Sequence, residues 1–428
     1  MAHDTETMAL VSHAGRLFAA TDQWEYPGPR AAGQVLVKHS AAGPWRVVEQ
    51  TQSLRVQALD SFPIPTDQAA GPGHSLLITQ AIVDGRSRLQ WLLDGAPSFT
   101  RSYTLPSVTD DVRAFGAHES DGTWAVYAGV APAGILRGTW SRTKRTLVFS
   151  SRPELTVAPP ASPGLKTRKV TGFADCAGTL YVSINAKLFR RNDGRLPRGV
   201  ARWVLVYQAP PVGQHNSGLR GLTCTTHNGA RSLLFSTEGN GQVYRLDHLP
   251  RGQLASERLL APRLEFSPVP AIRRMLAAQG VEVPPAGLGA IHYVIAAYNN
   301  FATIRLGSAG RQLFGLEWNY AGRCPATRTC QPATFFDGAA CFAVRTDRAV
   351  SPTYALRCLS GSGLTPTGSM TTPVRSGKAF VSIRTIAPSP FGDGRIYYGG
   401  YDCNFHPADG TAWIASSAGH LTGFDNRR

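Results

Sequence analysis

Short hydrophobic segments of about five to eight residues recur from one end of the chain to the other. They are rich in Val, Ile, Leu, Tyr, Phe and Trp, and Gly, Asn, Asp and Pro separate them, which is typical of β-strands joined by tight turns. "TLYVSI" (179–184) and "WVLVYQ" (203–208) are examples. A single segment, "VPAIRRMLAAQG" (269–280), predicts a helix, because Pro270 starts it, apolar residues follow at helical spacing and Gly280 ends it. The pattern therefore predicts an all-β chain with one short helix near 268–280.

The strands group into weak repeats, in which a strand, a glycine-containing turn and a second strand precede two further strands. The units have uneven lengths and begin near Met8, Leu54, Asp111, Lys169, Gly218, His292 and Phe380. Seven four-stranded units predict a β-propeller that spans 1–428 as a single domain, with the helix inside an insertion at about 250–291. Six blades with an extra hairpin, or a pair of β-sandwiches, are the alternatives.

One segment carries a family resemblance. "LLFSTEGNGQVYRLD" (233–247) resembles one blade of the gluconolactonase, strictosidine-synthase and NHL-type propellers. The resemblance covers about 15 residues of the 428, and it implies the propeller fold.

An acid, one intervening residue and an asparagine follow three of the later strands. The pairs are Glu238 with Asn240, Glu317 with Asn319, and Asp402 with Asn404. Residues two apart on a strand project to the same side, and equivalent strand ends of a propeller converge, so the three pairs predict an oxygen-rich site. The alternative is that the asparagines build turns through their own backbone and bind nothing.

The chemistry of these residues predicts an enzyme that acts on a small organic molecule at the mouth of the propeller channel. Carboxylate and amide oxygens suit Ca²⁺ or another divalent cation, which Glu238, Glu317 and Asp402 would hold. In lactone-hydrolysing propellers, which this arrangement resembles, a bound cation holds the substrate carbonyl. Hydrolase chemistry, lactonase-like or esterase-like, and lyase chemistry both remain open, with His406 as the residue that moves a proton beside the three acids. The predicted substrate-binding residues are Asn240, Asn300, Asn319, Arg384, Tyr401 and Asn404.

The net charge of +16 favours an anionic substrate or surface. The segment "KLFRRNDGRLPRGVAR" (187–202) holds six basic residues and one acid, so the alternative function is a non-catalytic propeller that binds a protein or an acidic glycan through a basic face. Nucleic-acid binding is not expected, because no aromatic ladder accompanies these residues. We expect a monomer without a transmembrane segment, since no apolar run approaches ~18 residues.

Seven cysteines bear on the compartment, and four of them lie between Cys324 and Cys358. One or two disulfides in that region, or buried free thiols, fit the spacing equally well. Cys176 and Cys224 end the first strands of adjacent units, which makes a disulfide between them a second expectation. No signal peptide is visible, which predicts a cytoplasmic protein by default, whereas disulfides near 324–358 would favour secretion.

Overall fold

The computed structural model describes the chain in segments, and two compact units divide it. The described residues are 6–22, 33–53, 55–65, 74–107, 111–132, 134–156, 169–210, 218–247, 249, 259–278, 291–306, 309–320, 340–348, 351–359, 364–366, 382–400 and 412–417. The first unit comprises 1–56, 276–292 and 301–428, and the second comprises 57–275 and 293–300. A single domain over 1–428 stays a prediction.

Twenty-nine strands and one helix are present among the described residues. The strands of the first four sheets are β1 (Glu6–His13), β2 (Arg16–Asp22), β3 (Gln34–Lys38), β4 (Trp45–Gln50), β5 (Leu59–Pro63), β6 (Ser75–Val83), β7 (Arg86–Leu93), β8 (Arg101–Thr104), β9 (Asp111–Ser120), β10 (Thr123–Ala131), β11 (Gly134–Ser141), β12 (Thr146–Phe149), β13 (Val170–Asp175), β14 (Leu180–Ile184), β15 (Lys187–Arg191) and β16 (Trp203–Gln208). The remaining elements are β17 (Leu219–His227), β18 (Ala230–Thr237), β19 (Val243–Leu246), β20 (Arg263–Phe266), α1 (Pro268–Ala278), β21 (Ile291–Ala296), β22 (Ala302–Leu306), β23 (Ala309–Tyr320), β24 (Cys341–Thr346), β25 (Thr353–Cys358), β26 (Leu364–Pro366), β27 (Ile383–Pro388), β28 (Ile396–Gly400) and β29 (Trp413–Ser417).

The strands form seven antiparallel sheets, which confirms the all-β propeller class and the seven-blade prediction. The first five sheets each take four consecutive strands, β1–β4 to β17–β20. The sixth has the order β21-β23-β24-β25 with β22 beside β23, and the seventh has the order β26-β29-β28-β27. The predicted unit starts match β1, β5, β9, β13, β17, β21 and β27, which we call the leading strands. Each is the first strand of its sheet except β27, which β26 precedes in the chain. The helix was also predicted correctly between the fifth and sixth sheets.

Several leading strands share an irregularity close to their first residues. The strand register shifts there in β1, β9, β13, β17 and β27. Such a bulge turns a side chain away from the regular alternation of the strand. In β27 the shift falls at Arg384, between Ile383 and Thr385, which allows this residue to point away from the direction that regular pairing would give it.

Apolar cores fill each unit separately. In the second unit, Trp91, Trp124 and Phe149 belong to one cluster of buried side chains, and Tyr181 and Phe235 belong to another. Burial of such large aromatic surfaces is the main favourable contribution to folding, at about 25 cal/mol per Å² of apolar area. The core of the first unit includes Phe342 and Tyr398, whose ring centroids lie 5.1 Å apart. These cores fix the leading strands that carry the charged residues described below.

Two disulfides join described residues, and both agree with the expectations from the sequence. Cys176 directly follows β13 and bonds Cys224 of β17, so that this disulfide links two leading strands of the second unit. Cys341 and Cys358 are opposite one another on β24 and β25 and form the second bond. Cys324, Cys330 and Cys403 lie outside the described residues.

No helix among the described residues is long and apolar enough to cross a membrane.

Candidate functional site: a buried arginine beside a glutamate and a tyrosine

Glu238 directly follows β18, at a turn that two glycines and an asparagine build. Gly239 and Gly241 have φ values of 101° and 62°, a region that glycine adopts without steric cost. The Asn240 carboxamide oxygen accepts bonds from the Thr237 hydroxyl at 2.5 Å and from the Gln242 backbone N–H at 3.1 Å. Asn240 therefore builds the turn, as the alternative interpretation of the acid-x-Asn pattern stated, and Glu238 is left to contact other residues.

The turn holds Glu238 against the leading strand β21. The backbones of Gly239 and Val294 exchange two hydrogen bonds, at 3.0 and 2.9 Å. A side chain at Gly241 would meet Val294, because a Cβ there would lie 2.6 Å from the Val294 Cγ1. This close approach places Tyr293 beside Glu238, and the Tyr293 hydroxyl donates to the Glu238 Oε1 at 2.6 Å.

Arg220, the second residue of β17, completes the group. Its Nε donates to the Glu238 Oε2 at 2.8 Å, and its guanidinium lies 4.4 Å from the centroid of the Tyr298 ring. Arg220 is 4% exposed. We call Arg220, Glu238, Tyr293 and Tyr298 the Arg220 cluster; all four belong to the second unit.

The Arg220 cluster holds its charges firmly at neutral pH. Burial alone would raise the pKa of Glu238, but the Arg220 charge, followed by the hydrogen bonds from Arg220 and Tyr293, lowers that pKa below its usual range. Burial would likewise lower the pKa of Arg220, but Glu238 outweighs it and raises that pKa. Lys169 also acts on the Glu238 carboxylate. Arg220 and Lys169 thus both place positive charge near Glu238, which suits an anionic ligand.

A second arginine group lies in the first unit. The Arg384 Nε donates to the Glu317 Oε1 at 2.9 Å, and its Nη1 donates to the Glu6 Oε2 at 2.5 Å and lies 3.5 Å from the Met8 sulfur. The side chains of Arg384, Glu317 and Glu6 are 7%, 0% and 1% exposed. The structure thus brings together two predicted site residues, Glu317 and Arg384, and adds Glu6. We call these three residues the Arg384 cluster.

The other predicted site residues are placed differently. Asp402, His406, Asn404 and Tyr401 lie outside the described residues, so their roles stay predictions. Nothing is described of the Asn319 side chain. Asn300 is half-buried, four residues beyond the end of β21.

The residues described at Glu238 and Glu317 do not favour the predicted cation. Each carboxylate already accepts a bond from an arginine, whose positive charge opposes a metal ion at the same oxygens. Within the described segments, no group of three His, Cys, Asp or Glu side chains is arranged to hold a metal ion. A Ca²⁺ site that includes Asp402 stays a prediction, and no chemical step below depends on it.

Sequence reasoning missed Arg220, Tyr293, Tyr298 and Glu6. It searched the ends of second strands for acids, whereas three of these four residues lie on leading strands of the same or another sheet. One signal was present: the dipeptides Leu219-Arg220 and Ile383-Arg384 both open leading strands. Aligning the predicted unit starts would have revealed the two arginines.

A third charged group lies in the second unit around His118, whose side chain is fully buried. Its Nδ1 lies 2.8 Å from the Asp175 Oδ2, and its Nε2 lies 3.1 Å from the Asp193 Oδ2. Burial would lower the pKa of His118, but the hydrogen bonds to the two carboxylates outweigh it and raise the pKa to about 9. Both ring nitrogens therefore carry protons at neutral pH.

The same group engages part of the basic segment 187–202. The Arg191 Nε donates to the Glu154 Oε1 at 2.9 Å, and its Nη1 donates to Asp193. The Arg202 Nε lies 3.9 Å from the same Glu154 oxygen. Two of the six basic residues are thus paired with acids, which reduces the charge that this segment offers to a partner.

Comparisons with known proteins add little. No family model matches the chain, and no curated protein matches it. Among solved structures, the chain is similar to the structure titled "Structure of Dos1 propeller", with 10% identity, a TM-score of 0.42, and coverage of 96% of this chain and 78% of that one. It is also similar to the Trypanosoma rangeli sialidase, with 9% identity, a TM-score of 0.40 and coverage of 99% of this chain, but it spans only 55% of the sialidase chain. We draw the propeller class from the sheet order and take no functional conclusion from either similarity.

Proposed function

We propose that the protein is a hydrolase for a small organic ester or lactone, and that the Arg220 cluster is its reaction site. The observation that supports this most is the bond of 2.6 Å between the Tyr293 hydroxyl and the Glu238 carboxylate beside a guanidinium. A hydroxyl donor and a carboxylate acceptor in direct contact can move a proton in either direction. The adjacent positive charge stabilises an oxyanion that forms during the reaction.

The hydrolytic step uses these groups as follows. A water oxygen attacks the substrate carbonyl carbon, and the water's proton passes to the Glu238 carboxylate. The carbonyl oxygen becomes negatively charged and is stabilised by Arg220. When the C–O bond to the leaving group breaks, Tyr293 gives its proton to the leaving oxygen, and the proton on Glu238 restores the Tyr293 hydroxyl. The lowered pKa of Glu238 keeps the carboxylate ionised and ready to accept the proton.

Turnover of chromogenic esters and lactones tests this proposal. Phenyl acetate, p-nitrophenyl acetate and dihydrocoumarin would be assayed with the wild type, Glu238→Gln and Tyr293→Phe. Removal of an acid or base group lowers kcat by about 10²-fold or more, so we expect a decrease in kcat of this size in both variants. Tyr244→Phe is the matched control, since the Tyr244 hydroxyl donates to Gln242 and not to a carboxylate. Turnover of none of the three compounds, or wild-type kcat in Tyr293→Phe, would contradict the proposal.

The alternative, a non-catalytic propeller with a basic binding face, has less support from the described residues, because acids of the second unit pair with Arg191 and Arg202. The two disulfides favour an oxidising compartment such as the extracellular space. We therefore propose secretion rather than the cytoplasm.

A further inference from the structure

Among the described residues, Arg220 donates hydrogen bonds from only one edge of its guanidinium. An arginine side chain carries five N–H donors in a planar fork. The Nε–H of Arg220 donates to Glu238, and no described residue accepts a hydrogen bond from Nη1 or Nη2. Four of the five donors of Arg220, which is 4% exposed, thus have no acceptor among the described residues.

The terminal nitrogens of Arg220 are the atoms that a ligand would contact. Several buried side-chain atoms of the described segments are fully enclosed and have no hydrogen-bond partner, and the Nε of Arg137 is one of them. The terminal nitrogens of Arg220 are not in that group although they too lack a described acceptor. A ligand that accepts from both nitrogens forms charge-assisted hydrogen bonds, which are about twice as strong as bonds between neutral groups.

We propose that Arg220 anchors a carboxylate group of the substrate through one N–H of each terminal nitrogen, which leaves the second N–H of each for the oxyanion of the proposed hydrolysis. This inference rests on the proposed function, because it names the charged group that the hydrolysed molecule carries. The planar fork of arginine matches the two oxygens of a carboxylate. The Tyr298 ring at 4.4 Å lies against the guanidinium and fixes its plane. Glu238 occupies the Nε edge and repels a second carboxylate from that side, so the ligand approaches the terminal nitrogens.

The surrounding charge supports an anion at this position. Lys169 acts on the same Glu238 carboxylate as Arg220, so that two positively charged side chains lie near this carboxylate. In the Arg384 cluster the balance is reversed, because two carboxylates face one guanidinium. A carboxylate ligand would therefore meet two carboxylates at Arg384 and one at Arg220. Arg384 is therefore the matched control for the experiment.

Calorimetric titration of the full chain with acetate and benzoate tests the anchor, with acetamide and benzamide as neutral matches. We expect the carboxylates to bind the wild type at least tenfold more tightly than the amides. Arg220→Lys keeps the charge but loses the fork, so it should weaken benzoate binding about tenfold or more. Arg384→Lys should leave the Kd unchanged. If Arg220→Lys does not fold, Tyr298→Leu replaces it, with an expected loss of severalfold in affinity.

Three results would overturn the anchor. The first is equal affinity for benzoate and benzamide, or no detectable binding of either carboxylate. The second is a wild-type Kd in Arg220→Lys and in Tyr298→Leu. The third is tighter binding of inorganic phosphate than of both carboxylates, which would assign the fork to a phosphoryl group instead.

The benzoate titration and the turnover assay test the anchor and the proposed hydrolysis independently of each other. Tyr293→Phe should keep its affinity for benzoate within about twofold while kcat falls about 10²-fold, because Tyr293 moves protons and does not hold the carboxylate. Loss of turnover without loss of carboxylate binding supports both statements. Wild-type turnover in Tyr293→Phe would reject the hydrolytic mechanism, and the Arg220→Lys titration would still decide the anchor.

Discussion

Two arginines occupy the same position of two leading strands and differ in how many carboxylates they meet. Arg384 of the first unit bonds Glu317 and Glu6, whose side chains are almost completely buried. Arg220 of the second unit bonds one acid, Glu238, whose side chain is 13% exposed. The Arg384 guanidinium thus bonds two carboxylates, whereas the two terminal nitrogens of Arg220 have no acceptor among the described residues.

The comparison teaches that a buried ion pair alone does not mark a functional site. Two carboxylates around one guanidinium form a closed unit that holds strands together, and its removal costs stability. A guanidinium that bonds one carboxylate has further N–H donors, and these can bind a ligand. The number of acceptors around each arginine, rather than burial, separates a structural role from a binding role.

Removal of each arginine in turn should give the largest effect. Arg384→Met leaves two buried carboxylates without their cation, so we expect a loss of about 4 kcal/mol in the free energy of unfolding. Arg220→Met leaves one carboxylate, which is partly exposed and still accepts from Tyr293, so we expect about 2 kcal/mol. Urea denaturation measures both. An equal or larger loss in the free energy of unfolding for Arg220→Met would contradict the different roles that we assign to the two arginines.

His118 resembles Arg384, because two carboxylates enclose it, and we expect it to be structural as well. Its folded pKa of about 9 is higher than the unfolded value of about 6.5, so the protonated ring stabilises the fold. That stability is fully present below pH 6.5 and is lost as the pH rises to 9. The loss should amount to roughly 3 kcal/mol at most.

Unfolding free energies measured from pH 6 to 9.5 test the role of His118. The wild type should lose stability over this range, and His118→Asn should show a flatter profile. Benzoate affinity measured at pH 6.5 should be the same in both proteins. A flat wild-type profile would contradict the charged state of His118, and weaker benzoate binding in His118→Asn would show that this group is not purely structural.

The glycine turn that positions Glu238 should give the smallest effect on stability. Gly241→Ala combines a φ of 62° with a Cβ that would lie 2.6 Å from Val294 Cγ1, so we expect a loss of about 1–2 kcal/mol and a lower kcat. Gly229→Ala is the control, since Gly229 has a φ of 75° and no atom within 4 Å of the added Cβ. Thermal unfolding and ester turnover of the two variants should therefore differ. Equal stability and equal kcat would show that the close approach to β21 does not place Glu238.

Much of the fold follows from the local pattern of the chain. Strand alternation, glycine turns and repeated units predicted the seven sheets, the single helix and the link between Cys176 and Cys224, because each depends on neighbours in sequence or on equivalent positions in adjacent repeats. These features need no knowledge of individual side-chain contacts.

The site could be predicted only in part, for a physical reason. Glu238 and Glu317 were found because each precedes an asparagine by two residues near the end of a predicted strand, but their partners Tyr293 and Arg384 lie 55 and 67 residues away. No local pattern specifies such contacts. Asn240 was expected on the same side as Glu238, as in an extended strand, but the positive φ values of Gly239 and Gly241 turn the chain there.

The central claim is that Arg220 binds a carboxylate of the substrate. A crystal structure of the full chain, determined from crystals soaked in benzoate, tests it most directly. We predict that the benzoate carboxylate lies with its two oxygens within hydrogen-bonding distance of the Arg220 terminal nitrogens, while Glu238 still accepts from the Nε. The Arg384 guanidinium should keep its bonds to Glu317 and Glu6 and contact no benzoate. Benzoate bound at Arg384, or an Arg220 fork occupied by another side chain of the protein, would contradict the claim.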